Sequence, residues 1–106
     1  MSKPYEASTL LREELDLIQT PVVVSFGAQW CGHCMAAQPF IDSAFAHYPN
    51  VQHLKVEDGP GRALGRSFKV KLWPTLIFMV NGIEVSRLVR PVAAADISDA
   101  LAQIAK

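Results

Sequence analysis

Two cysteines, Cys31 and Cys34, stand three positions apart in the run Trp30-Cys31-Gly32-His33-Cys34, and the chain has no others. Sulfurs so close in sequence cannot staple distant parts of a fold. In a reducing compartment, where structural disulfides are rare, such a pair points to redox catalysis or metal binding. The pair falls where an apolar run, Val22 to Phe26, gives way through a short turn to a helical segment reaching about Tyr48. If the helix begins at or just after Cys31, its unpaired N–H groups face that sulfur and its dipole favours the thiolate. Cysteines in such settings titrate at about 3.5 to 7.5, against about 8.5 for a free thiol. Cys34, one turn further in, is within reach of Cys31 but more shielded. The division of labour that follows has Cys31 attack a substrate disulfide and Cys34 release it by attacking Cys31. His33 tunes the couple: a partly protonated imidazole beside the thiolate stabilises the reduced form and makes the pair more oxidising. Gly32 leaves the approach to the sulfurs clear of a side chain.

Zinc is the competing use of a Cys-X-X-Cys pair, but a structural site needs four ligands. His33, His47 and His53 supply no second pair of recognisable spacing, so no metal is expected. His47 and His53 flank the turn at Pro49 and read as solvated surface residues.

The elements that must hold the thiols can be read in order. Leu11, Leu15 and Ile18, at i, i+4 and i+7, predict an amphipathic helix from Glu6 to about Gln19, capped by Ser8 or Thr9 and stopped by Thr20-Pro21. Val22 to Phe26 is β-branched without alternation, the pattern of a central strand covered on both faces. The helix after the cysteines has Ala37, Phe40, Ile41, Ala44, Phe45 and Tyr48 on one face, with Pro39 inside it. A second strand spans Val51 to Glu57, and a short helix from Arg62 to about Lys69 is anchored by Leu64 and Phe68. A third strand, Leu76 to Val80, is joined to Ile83–Val89 by Asn81-Gly82, a strong hairpin signal because both residues tolerate positive φ. Ile97, Leu101 and Ile104 mark a terminal helix. The order α-β-α-β-α-β-β-α, parallel crossovers first and an antiparallel hairpin last, predicts an α/β fold: one mixed sheet of four, or at most five, strands with helices on both faces.

At 106 residues, half of them hydrophobic and 19% charged, the chain is sized for a single domain, residues 1–106. Its ten basic and ten acidic residues cancel, which leaves no charge excess to draw nucleic acid or an anionic membrane. No apolar run approaches the roughly 20 residues needed to cross a bilayer. The N-terminal Met1-Ser2-Lys3-Pro4-Tyr5-Glu6 lacks the apolar core of a secretory signal, so a cytoplasmic location is expected.

Trp30-Cys31-Gly32-His33-Cys34, with Pro39 after it and Trp73-Pro74-Thr75 further on, resembles the thioredoxin superfamily over nearly the whole chain. The Cys-Gly-His-Cys core is similar to that of protein disulfide isomerase domains, where bacterial thioredoxins usually have Pro in place of His33. The resemblance implies a thiol–disulfide oxidoreductase that needs no bound cofactor. It also implies protein thiols and disulfides as substrates and an NADPH-dependent flavoprotein reductase as electron source. It makes Pro74 the cis-proline facing the cysteines and has the backbone of Trp73 pair with substrate. Thr75 follows in the same substrate-binding motif. Three departures stand out: Ser25 where the family has a buried acid that manages the proton of the second cysteine, Gly27 where it has an aromatic, and Arg90 where it usually has Gly beside the substrate groove. His33 implies a reduction potential above the roughly −270 mV of thioredoxin, towards the roughly −180 mV of disulfide isomerase. A thioredoxin-fold binding or escort module with little redox turnover is the alternative that Ser25, Gly27 and Arg90 motivate.

Overall fold

Six consecutive residues, Val22 to Gly27, are buried on both faces and form the centre of the sheet. The computed structural model describes residues 4–105; Met1, Ser2 and Lys3, part of the segment read for a secretory signal, and Lys106 lie outside the described residues. In chain order the elements are α1 (Arg12–Asp16), β1 (Val22–Gly27), α2 (Gly32–Phe45), β2 (Gln52–Glu57), α3 (Ala63–Ser67), β3 (Thr75–Val80), β4 (Ile83–Val89) and α4 (Ala94–Ile104).

The four strands form one sheet in the order β2-β1-β3-β4. β1 pairs parallel with β2, Ser25 opposite Lys55, and antiparallel with β3, Ser25 opposite Leu76. The parallel crossover expected from the element order is thus confined to β1–α2–β2; β3 returns antiparallel to β1. The α2/α4 face of the sheet is packed by Val23, Ala37, Ile41, Leu76, Phe78, Ile97 and Leu101. The opposite face is packed by Leu15, Val22, Val24, Phe26, Leu64, Phe68, Ile77 and Met79. A strand sealed on both sides cannot alternate polar and apolar residues, which accounts for the unbroken Val22–Phe26 run. β4, at the edge, alternates exposed and half-buried positions.

Asn81 (φ 55°) and Gly82 (φ 74°) turn β3 into β4 as expected. Gly82 is needed twice over, because a Cβ there would also overlap the Asp16 carbonyl oxygen. The first helix departs most from expectation. It covers five residues rather than the whole of Glu6–Gln19, and Leu11, expected on its buried face, is exposed. Neither Ser8 nor Thr9 caps it; Glu14 Oε1 reaches back instead to the Leu11 N–H at 2.8 Å. The residues before it are drawn to the sheet, where Glu6 bridges Val56 in parallel, donating to the Lys55 carbonyl at 3.2 Å and accepting from the Glu57 N–H at 2.8 Å. A segment committed to those bonds cannot also wind into a helix. In α2, Ala37, Ile41 and Ala44 are buried, while Phe40, expected with them, is exposed.

Candidate active site

β1 delivers the chain to the front edge of the sheet, and the Ala28 carbonyl there accepts the Cys31 N–H at 3.2 Å. Cys31 has extended backbone (φ −78°, ψ 117°) and caps α2, its Sγ accepting the Cys34 N–H at 3.2 Å. A sulfur that satisfies one of the helix's free donors lies in the field of a 14-residue helix, a setting that favours negative charge. Both cysteines are unbridged; Cys31 is 7% and Cys34 2% exposed. Burial raises the Cys34 thiol pKa, and its hydrogen bond with Cys31 adds to that shift. Gly32 and His33 are exposed on the first turn of α2. Nothing lies within 4 Å of where a Gly32 side chain would project, so this side of the pair is open.

A wall beside the pair comes from the segment that leads into β3, the neighbour of β1 in the sheet. The Trp73–Pro74 peptide is cis, and Trp73 packs against the cluster of Tyr5, Ala28, Cys31 and Cys34. The Trp73 ring stands edge-on to that of Trp30, centroids 5.5 Å apart, and Trp30 is 74% exposed. Trp73 is held from two directions: its Nε1 donates to Asp58 Oδ2 at 2.9 Å, and Arg90 Nε donates to its carbonyl at 2.8 Å. Arg90 takes the left-handed region (φ 51°), and its N–H donates to the Pro74 carbonyl at 2.9 Å. Thr75 is buried, its hydroxyl donating to the Leu72 carbonyl at 2.6 Å. Trp30, Trp73, Pro74 and Arg90 thus belong to one wall beside the thiols, with Thr75 behind it.

On β1, two residues before Gly27, Ser25 is fully buried and its Oγ lies 2.7 Å from His53 Nε2. The expectation of a solvated His53 fails: its ring is partly buried and stacks on Phe45, centroids 4.2 Å apart and planes 11° from parallel. The period of β2 carried the signal, since His53 alternates with Leu54 and therefore shares the face of buried Val51. Ser25, which stands where the resemblance has a buried acid, thus has a ring nitrogen as its partner.

Tyr5 also escaped the sequence reading. It is 5% exposed and lies over Gly27; a Cβ on Gly27 would come within 2.6 Å of Cys34 Sγ and 2.8 Å of Tyr5 Cζ. The aromatic missing at Gly27 is therefore replaced from another part of the chain. Tyr5 is moored by its N–H to Gln29 Oε1 at 3.1 Å. Lys55 Nζ lies 4.4 Å from its ring centroid and donates to Gln38 Oε1 at 2.6 Å. Burial lowers the Lys55 pKa, while the charges of Asp42 and Cys34 oppose the shift.

Comparison with known proteins agrees with this geometry. The thioredoxin family model matches residues 6–103. Human thioredoxin is 36% identical over 86 residues, 80% of this chain and 82% of that protein. The solved structure of reduced thioredoxin 2 from Pseudomonas aeruginosa PAO1 superposes with a TM-score of 0.88 at 52% identity, covering 99% of this chain and 97% of that one. Thioredoxin NaTrxh from Nicotiana alata, at 24% identity, shares the fold with a TM-score of 0.77 over 100% of this chain and 98% of its own. A close dithiol at the N-terminus of α2, on a four-stranded mixed sheet and within sequence matches of this extent, leaves one assignment: the chain belongs to the thioredoxin family and is a thiol–disulfide oxidoreductase.

Proposed function

We propose that the protein reduces disulfides in protein substrates, with Cys31 as nucleophile and Cys34 as resolving thiol. The supporting observation is the pair's asymmetry: Cys31 Sγ accepts the Cys34 N–H at 3.2 Å at the helix N-terminus, while Cys34 is the more buried of the two. The Cys31 thiolate attacks one sulfur of a substrate disulfide, forming a mixed disulfide and releasing the other sulfur as a thiolate. Cys34 then attacks Cys31 Sγ, closing the intramolecular disulfide and freeing the second substrate thiol. The exposed indole of Trp30, together with Trp73, Pro74, Thr75 and Arg90, holds the substrate chain across the pair. His33, exposed in the first turn, raises the reduction potential by favouring the thiolate form. The enzyme works in the cytoplasm and is returned to its dithiol form by a flavoprotein reductase drawing on NADPH. No helix among the described residues is long and apolar enough to cross a membrane.

Trapping tests the assignment. Cys34→Ser loses turnover in insulin reduction and accumulates covalent adducts on Cys31, visible on a non-reducing gel and absent when Cys31 is also replaced. Full turnover by Cys34→Ser rejects the two-thiol mechanism. Little turnover by the unmodified protein, unchanged in Cys34→Ser, favours an escort role instead.

A further inference from the structure

The resolving step requires Cys34 to become a thiolate inside the protein. Burial opposes that ionisation, and Ser25, at the position where the resemblance has a buried acid, is engaged with His53 and is no base at neutral pH. Two other polar groups reach this sulfur, the Ala28 backbone and the Tyr5 side chain, and only the second is a side chain whose role can be tested by substitution. Tyr5 enters from the N-terminal segment, fills the space over Gly27, and crowds the same point as Cys34 Sγ. Its Oη is buried and has no hydrogen-bond partner among the described residues.

Such a group is costly to leave unmatched, which gives its surroundings meaning. A neutral thiol is a weak acceptor, whereas a thiolate is a strong one. The phenol is therefore matched well only when Cys34 loses its proton. An interaction that is weak in the resting state and strengthens along the reaction lowers the barrier more than the ground state. Burial also raises the Tyr5 pKa, so the hydroxyl keeps its hydrogen and can donate it.

We infer that Tyr5 is the hydrogen-bond donor that stabilises the Cys34 thiolate during resolution, doing from the N-terminal segment what an acid at the Ser25 position does not do here. The inference rests on Cys34 being the resolving thiol. The proton of Cys34 passes to water in the cleft of about 350 Å³ lined by Tyr5, Gln29, Cys34, Gln38 and Lys55. The Cys34 thiolate attacks Cys31 Sγ, the Cys31–substrate S–S bond breaks, the Cys31–Cys34 bond forms, and the departing thiolate takes a proton from water. Electrons and protons balance: one disulfide is exchanged for another.

Tyr5→Phe keeps the ring over Gly27 and removes only the hydroxyl. The reduced protein is mixed in stopped flow with a nitrobenzoate disulfide that releases one coloured thiolate at each of the two steps. In Tyr5→Phe the first release is unchanged, the second slows about tenfold near neutral pH, and its pH profile moves up by about one unit. An unchanged second-phase profile in Tyr5→Phe overturns the donor role. A second phase that survives in Cys34→Ser overturns instead the two-thiol assignment beneath it. The Cys34 thiolate absorbance, titrated with Cys31 replaced by Ala, checks the result independently of rates. The Cys34 pKa rises on adding Tyr5→Phe if the donor is real, and an identical value rejects it.

Discussion

At the scale of single residues, the pair Ser25–His53 carries the greatest consequence outside the thiols. Ser25 Oγ is fully buried, and His53 Nε2 at 2.7 Å is the partner that satisfies it. Truncating the histidine strands that hydroxyl at about 1–3 kcal/mol and removes the stacked contact with Phe45, worth about 0.5–1.5 kcal/mol. His53→Ala is expected to lose about 2 kcal/mol in denaturant unfolding, and adding Ser25→Ala should restore about 1 kcal/mol of that by deleting the stranded group. Strictly additive losses would show that the two side chains do not support one another. A surface histidine, as the sequence suggested, would change stability by less than about 0.5 kcal/mol.

Between elements, α3 governs the wall of indoles beside the thiols through Asp58. Gly65 lies in α3, and a Cβ there would overlap the carboxylate of Asp58. That carboxylate holds Trp73 Nε1, and Trp73 stands edge-on to Trp30. Gly65→Ala should therefore displace Asp58 and free the Trp73 indole. The expected outcome is a KM for a protein disulfide raised about three- to tenfold with Cys31 reactivity towards a small disulfide preserved, and altered tryptophan fluorescence. Unchanged fluorescence and KM would mean that Asp58 yields without releasing Trp73. The hairpin and α1 are linked by the same kind of contact, Gly82 against the Asp16 carbonyl. Elements with few turns of their own are thus fixed by close backbone approach where no long amphipathic face is available.

For the molecule as a whole, the buried dithiol couples stability to pH. The Cys34 pKa is pushed up to about 12 by burial and by its hydrogen bond with Cys31, whereas an unfolded cysteine titrates near about 8.5. The folded state therefore holds a proton that the unfolded chain releases, and the stability is fully present below the unfolded value. It is lost as pH rises from about 8.5 towards about 12. Tyr5, shifted in the same direction, adds its share above about 10. The denaturation midpoint of the reduced protein should fall more steeply above about pH 8.5 than that of Cys34→Ala. Parallel curves would show that Cys34 ionises as readily folded as unfolded. The same scale separates what the chain announces from what folding decides. The central strand, the thiol pair at its helix, the hairpin and the terminal helix were legible because each rests on neighbours in sequence: a β-branched run, a three-residue spacing, two residues of positive φ, an i, i+4, i+7 stripe. Glu6–Gln19 misled because its period was genuine while its first residues had stronger partners on β2. His53 and Tyr5 were not legible as functional neighbours, since Ser25 and His53 are 28 positions apart and Tyr5 reaches Gly27 only after the sheet forms. Sequence alone determined that two close thiols stand at the start of a helix, because that arrangement is local. Tertiary structure decided what surrounds the second thiol, because burial and hydrogen-bond partners exist only once strands and segments distant in the chain are packed together.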